Sequence, residues 1–229
     1  MIIGTSGKAR VGKDTFAKML AEELQKQTTG QAYVLMAYAH ELKLRVQKDF
    51  DLSYEQLWGD EKEIPDKRYP KARSILPFCA GNRDDGKGLE VLEEGRYWTP
   101  REIMQAYGQF FRTIDYDFWV KYLFRVIEEK EYKNVIITDA RHINEVDAVV
   151  DRSGYHIRVE RENKDSVHNE QHISEIALDK GHRVDFKVLN NGTIDDLKNS
   201  VEDVVKFLID SEKIFNKLER KEIKDGSKK

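Results

Sequence analysis

Nine residues near the amino end, Gly7 to Thr15, read GKARVGKDT, and their types suit the handling of phosphate. Gly7 and Gly12, with four residues between them, let the backbone turn and approach closely where a side chain would block it. Successive N–H groups can then converge on phosphate oxygens at the start of a helix. Lys13 adds a point charge for the terminal phosphates. Asp14 occupies the place where such loops usually carry a serine or threonine. A hydroxyl there ligates magnesium directly, whereas a carboxylate holds the ion through water or orients another group. Thr15, one residue on, offers a hydroxyl to a phosphate.

Two further stretches carry chemistry-bearing residues. NVIITDA ends an apolar run on Asp139, and a carboxylate beside a triphosphate holds hydrated magnesium or receives the acceptor's contacts. Arg141 can offer a planar fork to a phosphoryl group in transfer. The bland alternative for this pair is a capping aspartate and a surface arginine. TPREIMQAYGQFFRTIDYDFWVKYL, Thr99 to Leu123, mixes Arg101, Gln105, Gln109 and Arg112 with many aromatics. Arg101, Gln105 and Gly108 recur at helical spacing, so one face could show a cation, an amide and a gap to a flat ligand. Trp119 could stack on a base, although Tyr107, Phe110, Phe111, Phe118 and Trp119 equally suit a core.

The elements that must position these residues follow from periodicity and punctuation. Met1 to Thr5 reads as a buried strand, and Phe16, Leu20 and Leu24, with Met19 beside them, give the helix after the glycine loop its apolar face. Ala32 to Ala39 is a second apolar run of strand length, and HELKLRVQKDF after it can form a helix. The span from Trp58 to Trp98 holds Pro65, Pro70, Pro77 and the loop-like AGNRDDGKG, and reads as an irregular insertion. Its cations Lys62, Lys67, Arg68, Lys71, Arg73 and Arg96 suit either a mobile cover or a solvated surface.

Thr99-Pro100 with Glu102 marks a helix start, running to about Phe111. A second helix, Asp115 to about Lys130, precedes the strand Asn134 to Ala140. HINEVDAVVDRSG reads as a helix closed by Gly154, YHIRVE as a strand, and VDFKVLNNG as a last strand with a turn. From Thr193, residues Ile194, Leu197, Val201, Val204, Val205 and Leu208 build an amphipathic helix. Strands alternating with helices predict an α/β fold: a mostly parallel sheet flanked by helices, with ligands beyond the carboxyl ends of the strands.

Composition removes several function classes. Hydrophobic residues at 39% and charged residues at 35% fit a soluble globular chain, and a net charge of -3 opposes a stable nucleic-acid complex. The one cysteine, Cys79, permits neither an internal disulfide nor a thiolate zinc cluster, and sits beside no evident base. No signal-like or membrane-length apolar run occurs, so a cytoplasmic location is expected. His168 and His172 share i, i+4 spacing but lack the acid of an HExxH zinc motif; they read as loop histidines, as do His40, His142, His156 and His182.

The combination GKxRxGKDT, TPREIMQAYGQFFR with DFW, ITDARHINEVDAV, and HISEIALD ahead of VLNNGTIDDL resembles the deoxynucleoside monophosphate kinases of tailed bacteriophages. The resemblance spans nearly the whole chain and is weakest between about Trp58 and Trp98. That family too has aspartate after the loop lysine. It commonly carries proline in the block RFPNE, where this chain has Arg141-His142-Ile143-Asn144-Glu145.

The resemblance implies a single P-loop kinase domain over residues 1–229, with 58–98 as a lid-like insertion and 99–130 as a helical monophosphate-binding segment. It implies transfer of the γ-phosphoryl of ATP to a deoxynucleoside monophosphate, with Mg2+. Gly7, Lys8, Arg10, Gly12, Lys13, Asp14 and Thr15 would surround the ATP phosphates. Asn191, in the loop Asn190 to Thr193, would lie by the adenine. Arg101, Gln105, Gly108, Gln109, Arg112 and Trp119 would line the monophosphate pocket. Asp139, Arg141 and Glu145 would sit at the reacting end with Lys13 and Asp14, and Asp14, Thr15 and Asp139 would serve the metal.

Partners would be the two small-molecule substrates, without nucleic acid or membrane. A homodimer stays open, because Ile214, Phe215 and Leu218 can pack on a second copy or on the chain's own body. Two alternatives remain: a P-loop kinase for another small metabolite, against which the Thr99 to Trp119 block speaks, and a nucleotide-switch ATPase engaging DNA or protein. Alanine after Asp139, where such ATPases commonly carry a second acid, weighs against the latter.

Overall fold

The computed structural model describes residues 1–8, 10–28, 32–71, 97–162, 178 and 182–226, with side chains up to 214. Arg73, Cys79, Arg96, His168 and His172 lie outside these residues. Two compact units emerge, one formed by 1–38 with 119–229 and the other by 39–118.

The first unit is built on five parallel strands: β1 (Ile2–Ser6), β2 (Val34–Met36), β3 (Val135–Ala140), β4 (Tyr155–Glu160) and β5 (Phe186–Leu189), in the order β2-β3-β1-β4-β5. Alternation along the strands divides two cores. Ile3, Ile136, Ile157, Val159 and Val188 face α1 (Lys13–Gln27) and α7 (Ile194–Gly226), through Phe16, Leu20 and Leu24 on one helix and Val201, Val204, Val205 and Leu208 on the other. Val135, Ile137 and Ala140 face α5 (Phe118–Glu129) and α6 (Ile143–Val150), through Val120, Leu123, Phe124, Ile127, Val146 and Val149. Period-2 strands meeting helical stripes on both sides give the helix–sheet–helix layering expected from the alternation of elements. None of the described helices is long and apolar enough to cross a membrane.

Several boundaries differ from the sequence reading. The run Ala32 to Ala39 contributes only Val34–Met36 as strand, and Tyr38 already opens helix α2 (Tyr38–Phe50). Tyr38 is 4% exposed and packs into the second core, so its apolar neighbours in sequence are split between strand and helix. Helix α6 ends at Val150, and Ser153 rather than Gly154 takes the left-handed backbone, at φ 57°. The Gly154 N–H still closes the helix end on the Val149 carbonyl at 2.9 Å. Helix α5 starts at Phe118, after a turn in which the Asp115 side chain accepts from the Asp117 N–H at 3.0 Å.

The second unit holds most of α2, a short helix α3 (Tyr54–Leu57) that periodicity did not announce, a 3-10 turn at Glu61–Glu63, and α4 (Pro100–Ile114). Asp66 organises its loop. That carboxylate accepts from the Gln56 amide at 3.0 Å and from the backbone and guanidinium of Arg68, which holds it well below the usual carboxylate range. The described part of the expected irregular insertion, 58–71 with 97–98, is thus tied down. An antiparallel bridge between Pro70 and Tyr97 joins its ends.

Candidate functional site

Register puts the chemistry-bearing residues of the first unit side by side. β1 pairs with β3 so that Ser6 faces Ala140, and the loop beginning at Gly7 therefore starts beside Asp139 and Arg141. A bulge between Gly4 and Ser6 sets this alignment, with Thr5 Oγ1 donating to the Ile137 carbonyl at 3.2 Å.

The loop needs its glycines at both ends. Gly7 has φ 147°, and a Cβ there would lie 2.1 Å from the Val159 carbonyl oxygen. Gly12 has φ 91° and lies against Asn190, whose Nδ2 would be 2.5 Å from an added Cβ. Arg10 between them is also left-handed, at φ 63°. As the N-cap of α1, Gly12 brings no side-chain oxygen to the first-turn amides, an arrangement that suits an anion at this helix start. Lys13 is 8% exposed, and its Nζ donates to the Lys8 carbonyl at 2.7 Å. Asp14 and Thr15 stand exposed on the first turn of α1. Asn191 is exposed, its Oδ1 accepting from the Glu162 N–H at 2.8 Å.

At the end of β3, Asp139 Oδ1 accepts the Tyr38 N–H at 2.7 Å, and the Tyr38 hydroxyl donates to the Glu145 carbonyl at 2.8 Å. Burial, then the charges of Glu145 and Asp139, push the Tyr38 phenol well above its ordinary pKa, so it remains a donor at neutral pH. Glu145 is 2% exposed. Its Oε2 accepts from the backbone N–H groups of Arg141 at 2.7 Å and of His142 at 3.0 Å. This carboxylate holds the turn that carries Arg141. Ile143, standing where the resembling family has proline, is the first residue of α6, a position that proline suits because its N–H has no partner within the helix.

His156, on β4, is fully buried behind the loop. Its Nδ1 meets the Arg183 carbonyl and must donate, so Nε2 accepts from the Ser6 hydroxyl at 2.8 Å. Desolvation lowers its pKa to about 4, and the ring is neutral at pH 7.

In the second unit, Arg101, Gln105, Gly108 and Arg112 fall on one face of α4. The helix starts on a full capping box: Thr99 Oγ1 accepts from the Glu102 N–H at 3.2 Å, and Glu102 Oε2 accepts from the Thr99 N–H at 2.9 Å. Arg101 pairs with Glu63, and Lys71 reaches Glu102 at 2.6 Å. Gly108 is buried, Gln105 half-buried and Gln109 exposed. Tyr107 donates to Asp49 at 2.7 Å; burial, then this carboxylate, push its phenol up to about 12. Phe50, Tyr107, Phe111 and Phe118 form a chain of ring contacts but stay half-buried, and Phe110 is 50% exposed, so of the aromatics read as core only Trp119 is buried. Trp119 belongs to the first unit and is 3% exposed, which leaves no free ring face for stacking on a base.

Sequence reasoning passed over Tyr38 and Asn190's contact with the loop, and it read His156 as a loop histidine, whereas the ring is fully buried on strand β4. Tyr38 was hidden in an apolar run, and the other two reach the glycine-loop end through contacts more than a hundred residues apart in sequence.

Among the described residues no group of three or more His, Cys, Asp or Glu gathers to hold a metal ion. Asp14, Thr15 and Asp139 are hard oxygen donors suited to magnesium, which commonly keeps several waters and arrives on substrate phosphates.

The family model described as deoxynucleotide monophosphate kinase matches residues 82–201, just over half of the chain and inclusive of α4, β3 and α6. A protein of Acanthamoeba polyphaga mimivirus, named "Putative deoxynucleotide monophosphate kinase", is 26% identical over 205 residues, covering 88% of this chain and 94% of the relative. With a parallel α/β sheet, a glycine loop opening its first helix and a match over these segments, the chain belongs to the deoxynucleotide monophosphate kinase family.

Proposed function

We propose that this kinase transfers the γ-phosphoryl group of ATP to a deoxynucleoside monophosphate, giving the deoxynucleoside diphosphate and ADP. The observation that carries the reading is the register of β1 against β3, which sets the phosphate-type loop beside Asp139 and Arg141. In this reading the N–H groups of the loop from Gly7 to Thr15, with Lys8, Arg10 and Lys13, neutralise the triphosphate. Magnesium, when bound, supplies further charge neutralisation, and Asp14, Thr15 and Asp139 are the residues that would hold it or its waters. Arg141 stabilises the phosphoryl group in transfer, on a turn held by Glu145. Asn191 lies by the adenine. Arg101, Gln105, Gly108, Gln109 and Arg112 recognise the monophosphate, whereas Trp119, 3% exposed, serves as packing within the first unit rather than as a stacking ring.

This division suits the reaction, since phosphoryl transfer asks for alignment, charge and exclusion of water more than covalent chemistry. The enzyme works on two small molecules in the cytoplasm and needs no nucleic acid. The test is a coupled ADP-release assay over all deoxy- and ribonucleoside monophosphates. ATP-dependent turnover with at least one deoxynucleotide is expected. Steady hydrolysis stimulated by DNA, with no gain from any monophosphate, would defeat the reading in favour of a nucleotide switch.

A further inference from the structure

Asn190 follows β5 and is 6% exposed. Its backbone is held at both polar groups, the N–H donating to the Glu160 carbonyl and the carbonyl accepting from Arg161 Nε, each at 2.7 Å. From this mount its side chain reaches across 179 residues of sequence, and Nδ2 donates to the Val11 carbonyl at 2.9 Å in a buried bond. The same Nδ2 fills the space beside Gly12, where a Cβ would come within 2.5 Å. The assignment of the amide is forced, since a carbonyl oxygen can only accept.

The consequence follows from peptide planarity. Val11 C=O and Gly12 N–H belong to one rigid plane and point in opposite directions. Fixing the carbonyl toward Asn190 aims the Gly12 N–H away from it. A loop that binds phosphate must present N–H groups and keep its carbonyls turned out, because an inward carbonyl would repel the anion. Without the amide the Val11–Gly12 peptide would be free to turn over, the more easily because glycine resists few backbone angles.

We infer that Asn190 is a positioning residue for the reaction: it fixes the Val11–Gly12 peptide so that the loop meets the ATP phosphates with its N–H rather than its carbonyl. The inference rests on the reading of Gly7 to Thr15 as the ATP phosphate site. It reaches beyond a contact between the Asn190 to Thr193 loop and the base, because the residue acts on the far end of the nucleotide.

Steady-state kinetics on Asn190→Ala and Asn190→Asp, with ATP and whichever of dAMP, dCMP, dGMP or dTMP the wild type turns over best, tests it. Asn190→Ala should lower kcat/KM for ATP at least tenfold while KM for the monophosphate stays within twofold. Asn190→Asp should do worse than alanine despite its closer shape, since it sets a carboxylate against the Val11 carbonyl and near the triphosphate. A side chain that merely fills space predicts the reverse order. The inference is overturned if aspartate is the milder change. It is also overturned if both variants keep kcat/KM for ATP within twofold, or if they lose melting temperature while the folded protein handles ATP as the wild type does. Failure of the underlying reading would look different: wild-type protein whose ATP binding is unchanged by Lys13→Ala would bring down the site and this inference together.

Discussion

Two side chains at the proposed catalytic end differ in what they can be asked to do. Arg141 carries a charge able to meet the transferring phosphoryl, whereas the neighbouring Glu145 spends its buried carboxylate on the backbone of the turn. Arg141→Ala should therefore lower kcat by about 10³ or more, as expected of a transition-state arginine, and leave the melting temperature nearly unchanged; near-normal kcat in that variant would remove the role.

His156 gives the residue scale its pH dependence. Its folded pKa of about 4 lies below the ordinary value of 6.5, so the unfolded chain takes up a proton that the folded chain refuses. The stability linked to this ring is full above about pH 6.5 and is lost as pH falls from there through 4, by about 3 kcal/mol at most. Glu102 and Glu160 are shifted down from 4.5 and Asp66 from 3.8, so their share is lost at lower pH. Denaturant melts of His156→Gln should show a flatter stability profile between pH 6.5 and 4.5 than the wild type, whatever the absolute loss.

At the scale of elements, what matters is how helices are started. Helix α1 begins on a glycine that offers no side chain, which suits a helix whose first amides serve a ligand. Helices α4 and α6 begin on capping boxes, which suits helices whose task is to hold side chains in place. Thr99→Ala should cost about 1 kcal/mol in denaturant unfolding. Because the cap fixes the turn bearing Arg101, the same variant should raise KM for the monophosphate and leave KM for ATP unaltered. An equal rise in both would show that α4 does not serve the acceptor.

The whole molecule consists of two compact units, and the candidate residues divide between them: the loop, Asp139 and Arg141 in one, the α4 face in the other. Ligands for the two should then be separable. Each of ATP and a deoxynucleoside monophosphate at 100 times its Kd should stabilise the protein by about 2.7 kcal/mol, a rise of roughly 5–10 °C in Tm for a chain of this size. Lys13→Ala should abolish the rise with ATP and retain the rise with the monophosphate in a thermal-shift assay. Loss of both would contradict the division.

The glycine loop, the amphipathic helices and the strand carrying Asp139 near its end could be read directly, because each is set by local spacing: period 2, period 3.6, and glycines where a side chain would collide. Residue types alone also indicated phosphate chemistry, and the order of motifs indicated the family. Pairings made across the chain could not be read this way. Asn190 reaching Val11, His156 under Ser6, Tyr38 bridging Asp139 and Glu145, and Trp119 withdrawn into the packing all join segments whose approach is decided by strand order and register. Local sequence limits which backbone shapes a segment can take, while the partners of its polar groups are chosen only when the sheet assembles.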